Sequence, residues 1–75
     1  MKNLYVLISD GGDGSYYPYY TMNEDTIRTQ EARDAAGELE SGDVGCDGDG
    51  FHYDTITVPD GSTYESLGIR EWVPD

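Results

Sequence analysis

Basic residues are scarce in this chain, which has four Lys and Arg residues against sixteen Asp and Glu residues and a formal net charge of −12. A surface with this balance repels nucleic acid and anionic lipid, which argues against direct nucleic-acid binding and against membrane association. It attracts cations and proteins with basic grooves. The expected partner is therefore a basic nucleic-acid-binding protein or complex.

Cysteine and long apolar runs are also nearly absent. One cysteine cannot form an internal disulfide, which fits a reducing compartment, so we expect a cytoplasmic location. No stretch approaches the roughly 20 apolar residues of a membrane helix, and the start, MKNLYVLISDGG, turns polar too soon for a signal peptide. Nothing in the sequence calls for a cofactor, and it leaves the oligomeric state open.

Apolar residues make up 36 % of the chain, below the roughly 45–50 % that is usual in soluble domains. Seven tyrosines and Trp72 partly compensate, because aromatic side chains bury large areas. The length of 75 residues, with no linker and no long repeat, predicts one domain over residues 1–75.

Alternating and β-branched segments predict strands at residues 3–9, 16–22 and 51–58, with a further short strand at 69–73. Pro18 lacks a backbone donor, so the second strand should lie at a sheet edge or contain a bulge. One helix is expected within residues 21–40. The fold class is therefore α+β, a small and mainly antiparallel sheet packed on one α-helix in the order ββαβ(β).

The limits of this helix are indicated by capping residues. Thr21 and Glu24 have the spacing of a capping box, and Asn23 is an alternative N-cap. Gly37 can end the helix, or it continues to Ser41 and Gly42. At 100° per residue, the apolar side is predicted to consist of Ala32, Ala35, Ala36 and Leu39, with Ile27 at its margin.

Acidic residues form a second stripe on the same helical wheel, at Glu24, Glu31, Asp34 and Glu38. Arg28 can form ion pairs with the first two acids, Glu24 and Glu31. No basic residue lies at helical spacing from the last two. Carboxylates about 5–6 Å apart along a rod approximate the spacing of phosphates along a nucleic-acid strand. The stripe is therefore a candidate partner-binding surface, and a plain solvated helix face is the alternative.

Tyrosines cluster in the segment YYPYY, at residues 16–20. Side chains alternate between the two faces of a strand, so two of the four tyrosines should point away from the core. Tyrosine is rigid and amphipathic and stacks on Arg, which suits an interface with a basic groove. Tyr17 and Tyr19 are the predicted anchors.

The segment CDGDGFHYD, residues 46–54, suggests a calcium loop, because calcium takes carboxylate and carbonyl oxygens on a backbone bent by glycine. The pattern fits an EF-hand poorly, since Gly45 falls on a ligand position and the last position holds Asp54 in place of Glu. A small calcium-binding module stays open as an alternative function. Its ligands would be Asp43, Asp47, Asp49 and Asp54.

The same segment holds the only cysteine and the only histidine, Cys46 and His52. Zinc needs three or four nitrogen or sulfur ligands, and this pair offers two. The neighbouring carboxylates disfavour a thiolate, the reverse of what a nucleophilic cysteine requires. The segment DGGDGS at residues 10–15 lacks the lysine of a phosphate-binding loop. We therefore predict no catalytic residue, no metal site in the main hypothesis, and no enzyme activity.

In size, charge, single domain and lack of a catalytic set, the chain resembles the small acidic inhibitors of phages and mobile elements. These include anti-CRISPR and anti-restriction proteins that mimic DNA. The resemblance implies a non-enzymatic inhibitor that occupies the basic nucleic-acid-binding surface of a partner in the cytoplasm of a bacterial host cell. An acidic adaptor subunit of a larger complex is a further alternative. The predicted partner-binding residues are Glu24, Glu31, Asp34, Glu38, Asp43, Asp47, Asp49, Tyr17 and Tyr19.

Overall fold

A three-stranded antiparallel sheet with one helix on its face forms the centre of the computed structural model, which describes residues 1–10 and 14–74. The elements are β1 (Lys2–Asp10), β2 (Tyr16–Thr21), α1 (Glu24–Ala35), β3 (Cys46–Asp47), β4 (Gly50–Phe51) and β5 (Asp54–Val58). The sheet has the order β2-β1-β5, and β3 and β4 pair separately. The α+β class is confirmed, while the element order is ββαβββ.

The strand β1 is the centre of the sheet and pairs antiparallel with both neighbours. Its register with β2 runs without a bulge from Tyr5 opposite Thr21 to Asp10 opposite Tyr16. Pro18 therefore lies in an edge strand, as predicted. The segment DGGDGS at residues 10–15, whose glycines predict a turn between the first two strands, includes residues 11–13, which lie outside the described residues.

The two later strands differ from their predicted bounds. The predicted strand 51–58 is divided, because the main chain of His52 donates a hydrogen bond to the Gly45 carbonyl at 2.8 Å and holds a small hairpin together. Only β5 joins the main sheet. The predicted strand 69–73 is reduced to one parallel bridge between Glu71 and Tyr20, next to a hydrogen bond from the Trp72 amide to the Tyr20 carbonyl.

The helix α1 begins and ends through local chemistry. The Asn23 side chain accepts a hydrogen bond from the Asp25 amide at 2.9 Å, which identifies Asn23 as the N-cap. Gly37 has a φ of +75°, and the Glu38 amide donates to the Arg33 carbonyl at 2.9 Å. Glycine adopts this left-handed conformation at little cost, so the helix ends here and does not continue to Gly42.

The helix packs on the sheet through a different side from the predicted one. Ile27 and Gln30 are buried, whereas Ala32, Ala35 and Ala36 are exposed. The core joins Ile27 to Tyr5 and Leu7 of β1, with Tyr19, Val44, Phe51, Tyr53 and Trp72 packed around it. The predicted apolar stripe was wrong, because the core around Ile27 is completed by side chains from loops and from the C-terminal segment.

The other face of the sheet is only half covered. Leu4 and Val58 are buried there, beside the segment that follows β5, where Lys2 Nζ donates to the Ser62 carbonyl at 3.0 Å. Further along the same face, Ile8 is 40 % exposed and Ile56 is 50 % exposed. The predicted buried strand is therefore open to solvent on part of one face.

Candidate functional site

Carboxylates and cations are unevenly distributed along the chain. Residues 34–69, called here the acidic stretch, contain nine Asp and Glu residues and no Lys or Arg. These nine are Asp34, Glu38, Glu40, Asp43, Asp47, Asp49, Asp54, Asp60 and Glu65. The stretch forms the end of α1, the β3–β4 hairpin, β5 and the turns that follow. It is the candidate binding surface.

The first part of the predicted acidic stripe is partly neutralised within the helix. Arg28 contacts Glu31 at 2.6 Å and Glu24 at 2.8 Å, so one guanidinium holds two carboxylates at helical spacing. The hydrogen bonds to Glu31 and then to Glu24 raise the pKa of Arg28 above its ordinary value. Glu24 and Glu31 therefore present less net charge to a partner than their number suggests.

The second part of the stripe leaves the helical wheel. Asp34 is half-buried, and its Oδ2 accepts a hydrogen bond from the Phe51 amide at 3.4 Å. Glu38 lies beyond the end of α1 and is exposed. The prediction of one continuous stripe from Glu24 to Glu38 was wrong, because the helix ends at Ala35 and Asp34 turns toward β4.

The loop acids Asp43, Asp47 and Asp49 are all exposed, and two of them hold turns. Asp43 Oδ2 accepts from the Glu40 amide at 2.8 Å, and Asp47 Oδ1 accepts from the Asp49 amide at 2.7 Å. Asp–Gly segments commonly form such turns. The charges of Asp43 and Asp47 are therefore fixed in position by main-chain donors and stay free of any Lys or Arg.

The calcium alternative finds no ligand set in the part of the chain that the structure describes. Among residues 1–10 and 14–74, no group of three His, Cys, Asp or Glu side chains is arranged to hold a metal ion. Asp47 and Asp49 stand on the hairpin, Asp43 precedes it, and Asp54 begins β5. The structure does not bring these four carboxylates around one point.

Cys46 and His52 lie in one hairpin but face different surroundings. Cys46 is 3 % exposed, whereas the His52 side chain is exposed and its Nε2 lies 3.3 Å from Asp47 Oδ1. Burial raises the pKa of the Cys46 thiol, and the charges of Asp34, Asp43 and Asp47 raise it further. The thiol is therefore kept protonated, as the acidic sequence around it predicts.

The predicted tyrosine anchors are in unlike positions. Tyr17 is 53 % exposed and available to a partner. Tyr19 is half-buried against the core, with its ring centroid 6.4 Å from that of Trp72 in an edge-to-face arrangement. Tyr16, at 67 % exposed, is the more accessible neighbour. The alternation of side chains along β2 could not show this difference, because Trp72, which packs on Tyr19, comes from the far end of the chain.

An open groove of about 330 Å³ lies where β1 meets the hairpin, and the sequence did not indicate it. Its apolar side comes from Val6, Ile8 and Tyr16, and its polar side includes Asp47, His52 and Asp54. The signal that could have revealed it is the unbroken apolar run of β1, which places large residues on both faces of a strand that has one helix to cover it.

In the described residues, no helix has the length and apolar character needed to cross a bilayer. Comparisons with protein-family models, with curated proteins and with solved structures found no match to this chain. The case for a function therefore depends on the charges, exposures and contacts of its own side chains.

Proposed function

We propose that this protein is a non-enzymatic acidic inhibitor of the anti-CRISPR or anti-restriction type, which occupies the basic nucleic-acid-binding surface of a partner by mimicking DNA. The acidic stretch is the observation that carries the proposal. Nine carboxylates stand in residues 34–69 without a Lys or Arg between them. Apart from Asp60, which is paired with the N-terminal amine, and Asp47, which lies beside His52, these are charges that the protein itself leaves unbalanced for a partner that supplies Lys and Arg side chains.

The carboxylates of this surface are of two kinds, those fixed by main-chain hydrogen bonds and those free to move. Asp34, Asp43 and Asp47 accept main-chain hydrogen bonds and keep fixed positions. Glu38 and Asp49 are exposed and make no described side-chain contact, so they can adjust to a partner. Preorganised charges reduce the entropy lost on binding, and the net charge of −12 accelerates encounter with a basic groove.

The surroundings of Cys46 support a binding role over a catalytic one. A nucleophilic cysteine needs a lowered pKa, yet burial and three carboxylates raise the pKa of this thiol. His52 is held toward Asp47 on the outside of the hairpin. The hairpin is therefore better suited to displaying negative charge than to activating a thiol.

A capture experiment with matched charge variants tests the proposal. The protein is immobilised, exposed to bacterial lysate, and washed at about 50 mM and about 200 mM salt, because charge-dependent complexes dissociate over this range. The test variant is Glu38→Gln, Glu40→Gln and Asp49→Asn, which removes three exposed charges from the acidic stretch. The control variant is Glu24→Gln, Asp25→Asn and Glu31→Gln, which changes net charge equally at exposed positions and leaves the acidic stretch intact.

We expect the parent protein to capture a nucleic-acid-binding complex that competing DNA releases, and to block nucleic-acid binding by that complex. The test variant should lose more of this capture than the control variant. Equal losses in both variants would mean that net charge acts alone and would contradict the assignment to the acidic stretch. A captured complex that keeps its nucleic-acid activity would favour the adaptor alternative.

A further inference from the structure

The two edges of the main sheet are protected to different degrees. At the β2 edge, Pro18 has no main-chain donor, and the Trp72 amide donates to the Tyr20 carbonyl at 2.7 Å. Glu71 also forms a bridge with Tyr20. At the β5 edge, the described residues make no main-chain or side-chain hydrogen bond to β5 apart from those of its pairing with β1.

The sequence of β5 lacks the usual strong blocks to further pairing, and its one charged residue is Asp54 at its start. Its residues, DTITV, contain no proline and no lysine, and its register with β1 is continuous from Asp54 to Val58. The first four of its five residues are exposed, and Ile56 is 50 % exposed. Open edges normally carry proline, lysine or a bulge that prevents another strand from adding to them. An edge without these features is a template for an added strand.

We propose that β5 accepts an extended segment of a basic partner as a fourth strand of the sheet. The identification of the partner as basic rests on the proposed function, and the strand addition is a separate claim about how contact is made. Main-chain hydrogen bonds would provide the attachment, and side chains on alternate positions would provide the selectivity. The occupied sheet would have the order β2-β1-β5-partner.

Charge complementarity favours a basic segment over a second copy of this chain. Asp54 begins β5, and residues 34–69, which contain the strand, have no Lys or Arg, whereas Asp60 beyond the other end is paired with the N-terminal amine. A second copy would bring another net charge of −12 to the same edge. Such self-pairing is opposed by repulsion over the whole surface, whereas a Lys- or Arg-bearing strand gains attraction from Asp54 and from the exposed carboxylates elsewhere in the acidic stretch.

The side-chain pattern of β5 indicates what the added strand should look like. Asp54 and Ile56 lie on one face of the sheet, and Thr55 and Thr57 lie on the other, because side chains alternate along a strand. Opposite-charge pairs and apolar pairs stabilise neighbouring strands. The added strand should therefore present a Lys or Arg beside Asp54 and an apolar residue beside Ile56, two positions apart.

The probe for this proposal is the peptide KTVTKTVTK, which alternates Lys and Val on one face with Thr on the other. Its binding to the full chain is measured by fluorescence anisotropy, and amide hydrogen exchange is recorded with and without peptide. We expect slower exchange at alternate amides of β5 and no change at β2. Two further peptides carry N-methyl groups, either on the Lys and Val residues or on the Thr residues. One of these two should lose binding, since alternate peptide amides face the edge.

Two variants of the protein provide a matched comparison. Ile56→Lys introduces the charge that protects natural edges, at an exposed position, and should weaken peptide binding by about tenfold. Thr29→Lys adds the same charge on the exposed side of α1 and should change binding by about twofold or less. The core amides of both variants should exchange at the same rates as in the parent protein, and this agreement would show that both variants fold.

Three results would overturn the proposal. They are peptide binding without protection of β5, equal binding of both N-methyl peptides, and self-association of the free chain through β5, detected by sedimentation.

A nucleic-acid displacement assay separates strand addition from the proposed inhibitor function. If Ile56→Lys still displaces nucleic acid from a captured partner as well as the parent does, strand addition is wrong and the inhibitor function stands. If β5 binds the peptide but no captured partner loses nucleic acid, strand addition stands and the inhibitor function is wrong.

Discussion

The first turns of the helix and the acidic stretch both carry carboxylates, but only the helix pairs its carboxylates with an Arg side chain of its own segment. Residues 24–33 place Arg28 between Glu24 and Glu31 and so offset part of their charge locally. Residues 34–69 have no Lys or Arg, and those of their carboxylates that make a described contact meet main-chain amides, His52 or the N-terminal amine. The comparison teaches that the number of acids in a segment is a poor guide to the charge that it offers a partner.

The largest effect should come from loosening the acidic stretch from the core at Gly45. This residue has a φ of +82°, and a Cβ there would lie 2.6 Å from Phe51 Cε1 and 3.0 Å from Leu7 Cδ2. Gly45→Ala should therefore lower the free energy of unfolding by about 3 kcal/mol, through overpacking and backbone strain. Urea denaturation measures the change.

Gly48→Ala is the matched control for this substitution, because it lies in the same hairpin with nothing within 4 Å of its added Cβ. Its free energy of unfolding should stay within about 0.5 kcal/mol of the parent. Equal losses in the two variants would show that the hairpin tolerates no added side chain anywhere. The close approach of Gly45 to Leu7 would then have no special role in fixing the acidic stretch.

The next effect should be on the helix side of the comparison. Asn23→Ala removes the side-chain oxygen that accepts from the Asp25 amide, and should lower the free energy of unfolding by about 1 kcal/mol. Asn23→Ser keeps an acceptor and should be nearly neutral. Thermal unfolding followed by circular dichroism distinguishes them. A loss in the Ser variant as large as in the Ala variant would contradict the assignment of Asn23 as the N-cap.

The helix ends and the edge position of β2 could be predicted from the sequence because local chemistry decides both. Asn23 and Gly37 act on amides and carbonyls within one turn, and Pro18 lacks its own donor. The buried side of the helix could not be predicted in this way. Ile27 and Gln30 face inward because of what the rest of the chain places there, including Trp72 from the far end.

The arrangement of the candidate site was only partly predictable for the same reason. Composition identifies residues 46–54 as an acidic, glycine-bent segment, and its two Asp–Gly pairs predict turns. The contact between Asp34 and the Phe51 amide spans 17 residues, and no periodic pattern reveals it. This contact turns Asp34 away from the predicted acidic stripe, and the hydrogen bond from His52 to Gly45 divides the predicted strand 51–58.

A smaller effect should appear in the dependence of stability on pH, which tests how strongly the acidic stretch acts on Cys46. The pKa of this thiol is raised in the folded protein by burial and by Asp34, Asp43 and Asp47, from an ordinary value of 9.0. The folded state therefore holds the proton more tightly than the unfolded state. Its contribution is complete below pH 9 and is lost as pH rises through the higher folded pKa.

Denaturation midpoints measured in steps from pH 8 upward should therefore fall more steeply in the parent protein than in Cys46→Ala. The rate of alkylation by iodoacetamide should rise at higher pH in the folded chain than in the urea-unfolded chain, because the thiolate forms later. Identical pH profiles in the folded and unfolded chains would contradict the raised pKa. They would also remove the argument that the surrounding carboxylates suppress a nucleophile.

The smallest effect on stability should come from the residue that distinguishes the two acidic regions. Arg28→Gln removes the cation between Glu24 and Glu31, whose side chains are all well exposed to solvent. Exposed pairs contribute little and are screened by salt, so the unfolding temperature should fall slightly at low salt and match the parent at high salt. The same variant leaves Glu24 and Glu31 as unbalanced as the acids of residues 34–69. If unbalanced charge determines partner binding, Arg28→Gln should strengthen low-salt capture of the basic complex. A capture that stays unchanged would instead mean that the partner contacts only the acidic stretch and never reaches the helix.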